Sequence, residues 1–199
     1  MSTRWRRPVS IGAATLAAPA HAHLVETGFG AFYDGIAHLG ATPADLLLVI
    51  AVALLAGQRG TQAARWTLFV LPAAWLVGGL LGARFPIEST LPVLTTLTFG
   101  AAGLLVALNA RLRGTAIVVF AMVAGAAHGY VNVASLEPAG ASLLGLAGVV
   151  TAVFCLLAIL SAQVNTLRAG WTLVVVRVAG SWIAAAGLLM LGWLLRPVR

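Results

Sequence analysis

Residues 142–162, SLLGLAGVVTAVFCLLAILSA, contain no charged residue and decide the class of fold. A helix needs about 20 consecutive apolar residues to span the hydrocarbon core of a bilayer. Five further apolar runs accompany this one along the chain: roughly residues 44–56, 66–81, 91–108, 115–134 and 171–195. The pattern predicts an all-α fold, a polytopic transmembrane helical bundle of about six helices.

The composition supports a lipid environment. Hydrophobic residues make up 61% of the chain and charged residues 9%, against about 25% charged residues in soluble domains. The net charge of +7 comes from arginines that mostly flank the apolar runs, where they orient helices and meet lipid headgroups. We therefore expect the lipid bilayer as a partner and no nucleic acid. The single cysteine, Cys155, excludes an intrachain disulfide, and we expect it to be a small buried hydrophobe.

Residues 1–22 are predicted to be a cleavable signal peptide. Three arginines precede a short apolar segment at residues 9–18, and Ala20-His21-Ala22 fits the small-x-small cleavage rule. The alternative is an uncleaved anchor helix, which the short apolar segment disfavours. Cleavage leaves residues 23–199 as a single transmembrane domain. We expect a multi-pass protein of the bacterial inner (plasma) membrane with His23 at a periplasmic N-terminus.

The arginines also predict an orientation. The expected cytoplasmic connections contain the pair Arg59 and Arg65, the pair Arg111 and Arg113, and Arg168, in agreement with the positive-inside rule. In this topology all carboxylates and the three histidines of the mature chain fall in the periplasmic half. They are Glu26, Asp34, Asp45, Glu88, Glu137, His23, His38 and His128. Side chains able to bind a metal are thus concentrated towards one face.

The first group of candidate ligands lies between the signal peptide and the first apolar run. Asp34 and His38 share a helical face if residues 32–39 are helical, because they are four residues apart. Asp45 follows Pro43 at the start of the apolar run, where it is either a simple helix cap or a ligand. A free His23 adds an α-amine and an imidazole from one residue, although chain termini are usually frayed.

The second group lies in GAAHGYVN, residues 125–132. His128 is deep in a predicted membrane helix, where an ionisable residue is a functional hypothesis by default. Asn132 follows one turn later on the same face. The alternative is a structural hydrogen bond between helices. Gly125 and Gly129 predict close helix packing, and the threonines at positions 95, 96 and 98 are predicted to be packing groups.

At these residues the chain resembles the HupE/UreJ family of membrane proteins. The similar stretches are HLVETGFGAFYDGIAH (residues 23–38), PADLL (43–47), LLAGQRG (54–60) and residues 125–132. Better-known members have a His, five residues and then Asp-His; here six residues separate His38 from Asp45, and Leu46 replaces the second His. They also have a His-Gly-x-Ala-His pattern, in which Asn132 takes the place of the last His.

The resemblance implies a divalent metal ion, nickel or cobalt first and copper or zinc as alternatives. Mixed imidazole and carboxylate ligands suit such metals. The expected ligands are His38, Asp45 and His128, with His23, Asp34 and Asn132 in a second group. No zinc-protease, P-loop or nucleophile-elbow motif is present, so we expect no enzyme.

The leading hypothesis is a permease that captures metal at the periplasmic face. The alternatives are a non-transporting accessory subunit of a larger membrane complex and, less favoured, a metal-dependent membrane enzyme. A homo-oligomer is left open.

Overall fold

The computed structural model describes residues 27–85, 92–135, 143–167 and 170–196, and within these residues it contains helices and no strand. The helices are α1 Ala31–Ala41, α2 Pro43–Arg59, α3 Thr61–Arg84, α4 Pro92–Ala107, α5 Gly114–Ser135, α6 Leu143–Thr166 and α7 Gly170–Leu194. The predicted all-α class is confirmed. The predicted signal peptide, residues 1–22, and His23 lie outside the described residues.

Four helices, α3, α5, α6 and α7, are long and apolar enough to cross a membrane. α1 and α2 together make a fifth candidate span, bent by 80° between them, and α4 is a shorter apolar helix. The bend has a local cause at Thr42, which is extended at φ −105° and ψ 93°. Because Pro43 follows, its ring disfavours the helical conformation at Thr42. The six predicted runs correspond to α2–α7, and α1 is an additional helix.

α2 lies at the centre of the bundle. Every residue from position 51 to position 57 is buried, and α2 contacts all six other helices. A helix that is hydrophobic on all faces is stable only when it is surrounded, and LLLVIAVALLAG in α2 has this property. Side chains at the two ends of α2 are therefore held in place by the contacts of α2 with the other helices.

Glycines let α3 and α5 approach closely, as predicted for Gly125 and Gly129. A Cβ atom on Gly129 would overlap the backbone carbonyl of Trp75, and one on Gly125 would lie 2.9 Å from the Leu71 carbonyl oxygen. On the other side of the contact, Gly78 faces the Ala126 backbone in the same way. Small residues on both helices therefore fix the position of Trp75 against α5.

The other end of the bundle, which we call the arginine end, contains the C-terminal end of α2. Here Gln58 Nε2 donates to the Val106 carbonyl at 3.2 Å, and Arg59 donates to the Asn109 side chain. Arg177, which needed a partner as an arginine within an apolar run, donates from Nε to the Ala107 carbonyl at 2.8 Å. The Ala107 carbonyl is among the last carbonyls of α4, which have no partner within their own helix.

The expectation for Cys155 was wrong. The thiol side chain is exposed on the surface of α6, because it lies on the side of the helix away from the buried Val153 and Leu157. Apolar pattern alone does not distinguish the inner and outer faces of a membrane helix, since lipid accepts the same residues as the core.

Candidate metal site

A buried carboxylate and a buried imidazole are in hydrogen-bond contact between α2 and α5. Asp45 Oδ1 lies 2.7 Å from His128 Nδ1, and Asp45 Oδ2 accepts a hydrogen bond from Asn132 Nδ2 at 2.6 Å. His128 is fully buried and Asp45 is 4% exposed. The prediction that His128 and Asn132 share a helical face is confirmed, because both reach the same carboxylate. Polar groups enclosed in this way stabilise the fold only when they are paired.

Asp45 occupies its place because α2 begins at the Thr42-Pro43 step. Proline is favoured at the first helical position, and Asp45 then falls in the first turn. A carboxylate there is stabilised by the positive end of the helix dipole. Asp45 is more than a helix cap, because each of its carboxylate oxygens bonds across the bundle to α5.

Thr98 of α4 completes the surroundings of His128. Its hydroxyl oxygen lies 2.8 Å from His128 Nε2 and also 2.8 Å from the Thr95 carbonyl oxygen. One hydroxyl proton can serve only one of these acceptors. If Nε2 carries a proton, it donates to the Thr98 hydroxyl, and that hydroxyl donates to the Thr95 carbonyl. Every group in this series of hydrogen bonds then has a partner. If Nε2 has a lone pair, Thr98 donates to it instead. The hydroxyl therefore accommodates both forms of the imidazole.

His38 lies on the other side of the α1–α2 bend from Asp45. The imidazole is buried at the last turn of α1, with Nε2 3.3 Å from Thr42 Oγ1. The Asp45 carboxylate acts on His38 electrostatically across the bend. The bend between α1 and α2 therefore brings His38 towards Asp45, which a straight helix would place two turns away.

Asp34 is engaged elsewhere. Residues 32–39 are helical, which was the condition for Asp34 and His38 to share a face, and Asp34 lies in the first turn of α1. Its carboxylate accepts hydrogen bonds from the Thr27 backbone and hydroxyl, both at 2.6 Å. These bonds lower the pKa of Asp34 below its ordinary value because they stabilise the charged form. Asp34 is thus a half-buried carboxylate whose hydrogen bonds go to Thr27.

Within the part of the chain that the structure describes, no group of three or more His, Cys, Asp or Glu side chains is close enough to hold a metal ion. Asp45 and His128 are in contact, Asn132 bonds to Asp45, His38 interacts electrostatically with Asp45, and Asp34 bonds to Thr27. The arrangement is a pair of ligating side chains surrounded by neutral donors, rather than a closed metal centre of the structural type.

Two neighbours of His128, Thr98 and Trp75, were not predicted from the sequence. Thr98 was assigned to helix packing, and Trp75 was not singled out. The indole of Trp75 is fully buried, with its ring centroid 5.7 Å from that of His128, and no hydrogen-bond partner of its Nε1 is found among the described residues. A polar run such as TTLT in an apolar segment is the available signal for Thr98, but sequence does not say which helix it faces.

Several apolar helices around a buried polar pair define the class: a multi-pass helical membrane protein with a polar site inside its bundle. The sequence matches the HupE / UreJ protein family over residues 11–190, nearly the whole chain. The chain belongs to this family, which is linked to nickel or cobalt transport or to accessory functions. No curated protein and no solved structure gives a significant match.

Proposed function

We propose that the protein is a divalent transition-metal permease of the nickel and cobalt type, which captures its ion at the periplasmic face of the inner membrane. The observation that carries the proposal is the buried Asp45–His128 pair. An ionisable pair inside an apolar bundle is costly and marks a pathway or a binding site by default. A purely structural role would not require the two residue types that divalent metals prefer.

The metal would take the place of the proton between His128 Nδ1 and Asp45 Oδ1. These atoms are 2.7 Å apart, whereas neighbouring ligands of an octahedral ion are about 3.0 Å apart when the bonds are about 2.1 Å long. The two atoms would move apart by a few tenths of an ångström, and the imidazole would rotate so that the Nδ1 lone pair points at the ion instead of at Oδ1. The Asn132 amide lies on the other carboxylate oxygen, and its carbonyl becomes a third ligand if the amide turns over.

Thr98 would then orient His128 from behind. With Nδ1 on the metal, Nε2 carries the proton and donates to Thr98, which donates to the Thr95 carbonyl. Ligating histidines usually have such a partner on the second nitrogen, and it raises their basicity. His38 provides a fourth ligand by a movement at the α1–α2 bend. His23, which lies outside the described residues, and Asp34 would make the first contact with the ion before it reaches Asp45 and His128.

Release towards the arginine end needs a conformational change. A cluster of buried apolar side chains fills the bundle between the Asp45–His128 pair and that end: Leu54, Leu55, Ala56, Val106, Ile117, Val164 and Val176. The described conformation is therefore closed on that side. A carrier alternates between closed and open sides around a central site, and this arrangement corresponds to one of the two states.

The same apolar cluster favours a second candidate function. An accessory subunit of a membrane complex needs to bind a metal ion without passing it on. A permanent seal of Leu and Val side chains below the site suits that role equally well. Both functions predict that the protein binds a metal ion, but only the permease predicts that the cell takes the ion up.

The deciding experiment follows uptake and binding together. Cells depleted of metal and expressing the full chain would be followed for nickel, cobalt, copper and zinc accumulation, alongside the His128→Ala variant. A matched control is Thr67→Val, which alters another fully buried polar side chain in α3. Accumulation lost in His128→Ala and kept in Thr67→Val supports the permease. Binding without accumulation supports the accessory subunit, and the absence of both contradicts the metal site.

A further inference from the structure

A cleft of about 610 Å³ opens at the arginine end, opposite the Asp45–His128 pair. It lies between the end of α2, the first turns of α3 and the first turns of α5. Two arginines, Arg59 and Arg113, line it together with Gln62, Trp66 and Val119. The cleft combines charged and polar side chains with apolar ones, and none of these residues belongs to the candidate metal site.

The arginines of this cleft have no acidic counterpart in the surrounding helices. The chain has no Asp or Glu from position 46 to position 87 or from position 89 to position 136. Asp45, the acid of α2, is fourteen residues from Arg59, about 21 Å along the helix. Within the described ranges no arginine pairs with a carboxylate. Among the described residues, no side chain neutralises these two arginines.

Arg59 is held in position for such a ligand. One of its guanidinium nitrogens donates to the Asn109 side chain, while its buried Nε finds no partner among the described residues. On the opposite wall, Arg113 precedes Gly114 and Thr115, the first residues of α5. The free backbone N–H groups of that first turn add partial positive charge to the same space.

The outer part of the cleft is apolar and faces away from the bundle. Trp66 is 60% exposed. Its indole also lines a second cleft of about 560 Å³, together with Arg65 and Phe69. A tryptophan beside arginines at a helix end is the arrangement found at headgroup level in membrane proteins. A soluble phosphate compound would leave the exposed ring and the valine wall without a partner, whereas a lipid covers both.

We propose that this cleft binds an anionic glycerophospholipid. The phosphate lies between Arg59 and Arg113 at the start of α5, and an acyl chain lies over Trp66 and Val119. The headgroup level is the one place where two guanidiniums and an exposed indole are satisfied by the same molecule. The lipid joins α2, α3 and α5 at the end where the described residues provide no carboxylate to do so.

The test reconstitutes the full chain in phosphatidylcholine vesicles that contain brominated phosphatidylglycerol or brominated phosphatidylcholine. Quenching of Trp66 is isolated by subtracting the signal of a Trp66→Phe variant. Two arginines contribute about fivefold each, so we expect a preference of roughly 25-fold for the anionic lipid. In Arg59→Gln/Arg113→Gln this preference is lost. The matched control is Arg84→Gln, since Arg84 is exposed at the opposite end.

Three outcomes overturn the proposal. Equal quenching by the two lipids in the unaltered protein does so without any variant. So does a preference that persists in Arg59→Gln/Arg113→Gln to the extent seen in Arg84→Gln. Relief of the quenching by excess inorganic phosphate would assign the cleft to a soluble anion instead. If the double variant does not insert, Arg113→Lys keeps the charge and is expected to keep most of the preference.

Discussion

Thr98→Val provides the sharpest test of how His128 is oriented. Valine has nearly the shape of threonine, so the substitution removes the hydroxyl and leaves the α4 packing in place. The hydroxyl is 2.8 Å from both His128 Nε2 and the Thr95 carbonyl oxygen. The Thr95 carbonyl lies inside helix α4, so losing the bond from the Thr98 hydroxyl costs it little. Nε2 belongs to a side chain with no exposed surface, so it gains no water in exchange.

Two magnitudes follow. A buried polar atom left without its partner costs about 1–3 kcal/mol in the free energy of unfolding. Loss of the group that orients a ligating histidine lowers metal affinity by about 10–100-fold. Thr98→Ser keeps the hydroxyl and should keep most of the affinity. The assays are thermal unfolding of the purified protein and a competitive titration with nickel or cobalt.

One result would refute this reasoning. If Thr98→Val is folded and binds metal within about twofold of the unaltered protein, then Nε2 does not need a partner while the metal is bound. The metal would then not be attached through Nδ1. A loss in Thr98→Ser as large as that in Thr98→Val would instead indicate that the methyl group, and hence packing, is what matters.

Two further predictions concern packing and pH. Gly129→Ala places a methyl group on the Trp75 carbonyl and should lower the free energy of unfolding by about 1–3 kcal/mol or more, as measured by thermal unfolding. The control is Gly192→Ala, which has open space around it and should have almost no effect. Equal stability of the two variants would contradict the close α3–α5 contact. The lowered pKa of Asp34 predicts stability that is fully present above its ordinary value and lost as pH falls through the lower folded-state value. Protease protection of α1 across acidic pH checks this, and in Thr27→Val the pH dependence should be smaller; an unchanged profile would speak against the Thr27 bonds.

The sequence predicted much of the architecture because apolar length is a direct physical requirement for crossing a bilayer. The close approach of α5 was predictable from Gly125 and Gly129, since only small residues permit it. The pairing of His128 and Asn132 on one face followed from helical spacing. Each of these inferences concerns one segment and its periodicity.

The rest depended on which helices are neighbours. Nothing in the α4 segment indicates that Thr98 faces His128 rather than lipid, and the exposed position of Cys155 was missed for the same reason. The bend at Thr42 has a local cause in Pro43, but its 80° angle depends on how α1 packs against α6. Apolar patterns do not encode such choices when both lipid and core accept the same side chains.

The distance along the chain between Asp45 and His128 has a consequence during synthesis. Their sequence separation is 83 residues, and ribosomes add about 5–20 residues per second. The carboxylate therefore waits about 4–17 s for its imidazole while α2, the helix destined for the centre, is already made. A lone carboxylate in hydrocarbon is strongly disfavoured. The Asp45 carboxylate is therefore without its imidazole for that interval, and the pairing of α2 with α5 can begin only after α5 has been made.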